Sequence, residues 1–85
     1  MLNYEKGEAR NLLEILEDTI HRNEGLYTNI YFRYANGVGF IDIPIEDAGN
    51  IGVNSLMENL LTIKKDNKIH FIPMDSVTSV ELVQR

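Results

Sequence analysis

The sequence predicts an α+β protein, mainly β: an N-terminal helix over about residues 5–22, then a five-stranded, strongly bent antiparallel sheet or small barrel. Three observations predict it. An apolar stripe recurs at three- and four-residue spacing near the start, an Asn-Gly pair divides the longest β-rich stretch, and short apolar runs punctuated by turn residues fill the rest.

In the helix, Leu12, Ile15, Leu16, Thr19 and Ile20 form the stripe, widened by Ala9 and Leu13. Arg10, Glu14, Glu17, Asp18 and His21 fall mostly on the other face. Asp18 and Arg22 stand in the favourable acid-before-base order, and Glu5, Glu8, His21 and Arg22 suit the helix dipole. Gly25 is a natural stop.

Asn36-Gly37 lies between 26–35 and 38–45, both rich in Ile, Phe, Tyr and Val. The pair tolerates φ > 0 at both central positions, so it predicts a type I′ two-residue hairpin. Ala35 then faces Val38, Tyr34 faces Gly39, Phe32 faces Ile41, and Ile30 faces Ile43. The opposite side carries Arg33 beside Phe40 and Tyr31 beside Asp42. A slip of one residue would mix the two sets.

Beyond Ile45 the pattern breaks into loop chemistry over residues 46–55. A strand is expected from Met57 to Lys64, a weaker turn at Asp66-Asn67, and a strand from Ile69 to Ile72 ended by Pro73. Pro73-Met74-Asp75-Ser76 predicts a tight or 3₁₀ turn, and Val77 to Val83 a last strand. Without repeat or linker, residues 1–85 are expected to form one domain. One helix covers a flat sheet of this size poorly, whereas a bent sheet closes over its own core.

The 85 residues allow one modest core. The absence of cysteine excludes disulfide staples and thiolate metal sites, leaving oligomerisation as a common way to bury more surface. Thirteen acidic against eight basic residues give a net charge of −5, which disfavours nucleic acid and anionic membranes as partners. Lys64, Lys65 and Lys68 cluster near one turn, where a solvated hairpin tip is the simpler account. Met1-Leu2-Asn3-Tyr4-Glu5 has neither a basic n-region nor an apolar h-region, and no apolar run approaches a membrane span. The expected location is cytoplasmic, with no membrane partner.

The strand Ile30–Tyr34, the Asn36-Gly37 turn, the strand 39–45, Glu46 and Asn50 reproduce the order of one sequence motif. Pro73-Met74-Asp75-Ser76-Val77 stands where a second motif would carry Arg-Gly-Asp-Asn and an apolar residue. On these residues, and over about residues 8–83, the chain resembles the Sm-like family, an SH3-like small barrel with a helix before its five strands. SH3-like and small pleckstrin-type domains give similar patterns. The resemblance implies a barrel whose short edge strands pair between subunits. The family holds RNA with the loop asparagine and the Arg-Gly pair; Asn50 is a counterpart of the first, while Arg and Gly are missing here. The likeness therefore implies the shape more than RNA binding.

His21 and His70 are too few for a metal site; His21 is expected at the helix end and His70 on a strand face beside Ile63. Ser76 or Ser79 with His70 lacks any motif that places a nucleophile. Asp42, Glu46 and Asp47 fit a solvated acidic loop better than a cation site. Gly49-Asn50-Ile51-Gly52 has no basic residue beside it and fails as a phosphate loop. No catalytic residue, metal or cofactor is expected, and the protein is expected not to be an enzyme. The leading expectation is a binding module acting through homo-oligomerisation or a protein partner, with Tyr31, Phe40, Val38, Val80 and Leu82 as interface residues. The outer set is covered either by the helix or by a partner. The alternative is RNA or nucleotide-ligand binding through the 46–55 loop, with Glu46, Asn50 and Tyr31 as ligand residues.

Overall fold

The alternation in the first hairpin decides where the core lies. The computed structural model describes residues 8–85. Helix α1 spans Glu8–Arg22, and β1 (Tyr27–Tyr34) and β2 (Gly39–Pro44) form the hairpin. A 3₁₀ turn at Ile45–Asn50 leads to β3 (Ile51–Val53), followed by β4 (Leu60–Lys65) and β5 (Lys68–Pro73). A second 3₁₀ turn at Met74–Ser76 leads to β6 (Val77–Gln84). The fold is α+β and mainly β, in two antiparallel sheets ordered β2-β1-β6 and β3-β4-β5.

The expected register holds throughout the first hairpin: Ile30 faces Ile43, Tyr31 Asp42, Phe32 Ile41, Arg33 Phe40 and Tyr34 Gly39. Val38 N–H donates to the Ala35 carbonyl at 3.1 Å, with φ of 58° at Asn36 and 87° at Gly37, the type I′ geometry. Ala35 also adopts a positive φ of 52°, which an Asn-Gly signal does not predict. Its N–H donates to the Ser76 carbonyl at 2.9 Å, tying the tip to the last 3₁₀ turn. The Tyr34 ring lies over Gly39, where a Cβ would collide with it. Asp66 and Asn67 repeat the left-handed pair, with φ of 55° and 61°, between Lys65 and Lys68.

Ile30, Phe32, Ile41 and Ile43 from the first sheet meet Leu61, Ile63 and Ile72 from the second, and Ala9 and Leu16 of α1 join the same cluster. Truncating Phe32 to Ala would cost about 3–5 kcal/mol. That is a large share of the stability of so small a domain.

Several expectations are corrected. The expected helix start at Glu5 lies outside the described residues. Ile15, placed in the apolar stripe, is 63% exposed. The stripe that packs is Ala9, Leu12, Leu13, Leu16 and Ile20, and at ~100° per residue Ile15 stands about 120° round the helix from Ala9. The described residues hold six strands in two sheets, not one five-stranded sheet, and they form no closed barrel. Pro44 ends β2 because it has no N–H for the ladder, and the 3₁₀ turn breaks what would otherwise be one bent strand. The extra strand is Ile51-Gly52-Val53, hidden by its glycine and by the turn residues around it; Ile51 faces Ile63 and Val53 faces Leu61. The strand expected from Met57 begins at Leu60, because the Asn54 side-chain oxygen accepts the N–H groups of Leu56 and Met57 in a tight turn.

Ala35 gives a direct test. A non-glycine residue in the left-handed region costs about 1–2 kcal/mol, partly offset by the extra freedom glycine adds to the unfolded chain. Ala35→Gly is therefore expected to stabilise the fold by about 0.5–1 kcal/mol, read as a raised urea midpoint at unchanged slope. Gly39→Ala should lower that midpoint by displacing the Tyr34 ring.

Candidate functional site

Strand β1 pairs on both edges, so its outward side chains sit in the middle of a three-stranded surface. Tyr31 stands between Asp42 on β2 and Glu81 on β6, and Arg33 between Phe40 and Ser79. The Tyr31 and Phe40 rings stack with centroids 5.4 Å apart. The Arg33 guanidinium lies 4.9 Å from the Tyr31 ring centroid and 3.8 Å from the Glu81 carboxylate. Asn29 Nδ2 donates to Asp42 Oδ1 at 2.9 Å at the rim. The helix does not cover this face: Phe40 is 58% exposed, and Val38 at the hairpin tip is exposed. Three expected interface residues, Tyr31, Phe40 and Val38, thus belong to one open surface. The other two do not. Val80 faces Phe32 and Leu82 faces Ile30, so both pack against the core, on the inner side of β6.

A second apolar surface went unnoticed in the sequence. On the outside of β3-β4-β5, Phe71 lies opposite Thr62 and Ile69 opposite Lys64, and both hydrophobic side chains are more than half exposed. The Thr62 hydroxyl there is buried without a hydrogen-bond partner among the described residues. Period-two alternation would have found Phe71: once Ile72 faces inward with Leu61, its neighbour must face out. Leu56 and Met57, in the turn before β4, are exposed as well.

The three expected ligand residues fall in three places. Tyr31 is in the aromatic stack. Glu46 lines an open depression with Tyr27, Asn29 and Arg85. Asn50 lines another, of about 320 Å³, with Lys64, Lys65, Asp66, Asn67, Lys68 and Ile69. The acidic group also separates, since Asp42 sits on the β-sheet bonded to Asn29 while Glu46 and Asp47 are exposed on the 3₁₀ turn. The strands place His70 opposite Ile63, half-buried, and His21 in the last turn of α1. Among the described residues no group of three His, Asp or Glu side chains converges to hold a metal ion. An apolar cleft of about 260 Å³ separates α1 from the first 3₁₀ turn, between Leu13, Leu16, Ile20, Ala48 and Ile51. Among the described residues no helix is long and apolar enough to cross a membrane.

Compared with known proteins, the chain matches no family model, no curated protein and no solved structure.

The Tyr31–Phe40 stack is expected to contribute about 0.5–1.5 kcal/mol beyond its buried area. A double-mutant cycle with Tyr31→Leu and Phe40→Leu, followed by urea unfolding, measures that coupling.

Proposed function

We propose that the protein is a small, non-enzymatic binding module that acts as a homo-oligomer, or with a protein partner, through its outer apolar surfaces. The observation that carries this reading is a balance of burial. Among the described residues nine large hydrophobic side chains are exposed, from Ile15 to Val83, against nine hydrophobic residues in the buried core, one of them an alanine. Single exposed hydrophobics are ordinary, but Phe71 and Ile69 are neighbours on one sheet face, and Phe40 and Tyr31 are stacked on the other. Aromatic residues with a flanking arginine are the composition favoured at interface centres.

The sheet edges add a second means of contact. Among the described residues, strands β5 and β6 are each paired on one side only, which leaves backbone donors and acceptors for another strand. In this reading the two sheets correspond to the two halves of an Sm- or SH3-like fold that is left open. Its support is the connection order: helix, Asn-Gly hairpin, a 3₁₀ turn into the second sheet, and a 3₁₀ turn returning beside β1. The contact surface assigned first is the β5 edge with Ile69 and Phe71.

Sedimentation velocity from micromolar to millimolar concentration tests the proposal. The expected species is larger than a monomer, and Ile69→Ser with Phe71→Ser should reduce it to a monomer with unchanged circular dichroism. A monomer across the whole range, together with no protein retained from a cell lysate, would remove the reading.

A further inference from the structure

The placement of the lysines points to a binding site for a phosphorylated small molecule, and we propose that the end of the β4–β5 hairpin holds such an anion. Every lysine among the described residues, Lys64, Lys65 and Lys68, stands at this one end, in a chain with an excess of five acidic charges. The arrangement is costly for the fold by itself. Lys65 and Lys68 lie directly opposite each other, where like charges repel. Among the described residues the ion pairs are Arg22 with Asp18 and Arg33 with Glu81, and no carboxylate of these residues forms an ion pair with the three lysines.

A solubilising tip accounts for Lys64, which is exposed on the outer face. It does not account for Lys65. That side chain is half-buried, and its Nζ donates to the Asp42 carbonyl of the other sheet, so one cation is held in place. Asn50, at the end of the first 3₁₀ turn, lines the same depression and brings an uncharged amide donor. Continuing the β3–β4 register by one step sets Asn50 beside Lys64. The result is a concave, donor-rich site of about 320 Å³, with Asp66 as the only acid in its lining.

Its dimensions and the rest of the molecule select the ligand. The depression admits one or two phosphate groups, and three cations against one acid favour a ligand with two or more negative charges. A long polyanion would meet the net charge of −5 beyond the site, so a phosphorylated small molecule fits better than a nucleic acid. The site is separate from the Ile69–Phe71 face assigned to partner contact, apart from Ile69 at their shared border.

The test is a titration of the full chain with inorganic pyrophosphate, followed by ¹H–¹⁵N correlation spectra at constant ionic strength, with sodium chloride and a single-stranded RNA as further arms. Saturable shifts confined to Asn50 and to residues 64–69 are expected with pyrophosphate and not with chloride. Lys64→Gln with Lys68→Gln should weaken binding about tenfold while leaving the remaining spectrum unchanged. Equal shifts with chloride, or unchanged affinity in the double variant, would overturn the site. Tighter binding of RNA than of pyrophosphate, with a steep salt dependence, would overturn the small-molecule assignment.

Discussion

The structure depends on the two-sided pairing of β1. This strand takes β2 on one edge and β6 on the other, and its side chains alternate between the core and the outer face. Ile30 and Phe32, nearly inaccessible, occupy the centre of the core; Tyr31 and Arg33 occupy the centre of the outer surface. A one-residue slip would exchange the two sets and bury a guanidinium. The tip must therefore hold the register, and it does so under strain. Three consecutive residues, Ala35, Asn36 and Gly37, take left-handed conformations, and the bond from Ala35 N–H to the Ser76 carbonyl ties the tip to the start of β6.

Arg85 reinforces the same strand. Arg85 N–H donates to the Leu26 carbonyl at 2.8 Å, and Arg85 Nε donates to the Gly25 carbonyl at 2.9 Å. These bonds close β6 against the turn that leads from α1 into β1. Gly25, with φ of +83°, makes that turn possible. The helix contributes little burial, only Ala9 and Leu16 fully, so its position follows from this turn as much as from its stripe.

The elements legible in the sequence were those with a local signal. Asn36-Gly37 gave the hairpin and its full register, and Pro73 with Ser76 gave the last 3₁₀ turn. The break between the two sheets was not legible, because Ile51-Gly52-Val53 is a strand by virtue of β4, not of its own propensity. Nothing local distinguishes its apolar residues from those of a loop. The outer patch was half legible. Alternation identifies Tyr31 and Phe40, but whether the helix covers them is decided by packing between distant segments. Val80 and Leu82 show a related limit: an edge strand read alone shows alternation without showing which side faces in. Register against β1 supplies that missing fact. Glu46 and Asn50 are close in sequence yet line different depressions once the 3₁₀ turn is formed, a separation that no local signal shows.

The β4–β5 tip contrasts with the β1–β2 tip in a way that bears on function. Both use left-handed pairs, but the first has glycine at its second central position and the second has Asn67. Asn tolerates that conformation less readily than glycine, so Asn67 costs more than Gly37, while at the first tip Ala35 carries the strain. Lys65 opposite Lys68 adds repulsion at the same point. A tip selected for stability alone would carry glycine and opposite charges. The repulsion gathered at this cationic end is a cost that the proposed anion site explains. An anion would relieve the repulsion, and the half-buried Lys65, fixed by the Asp42 carbonyl, would lose little freedom on binding it.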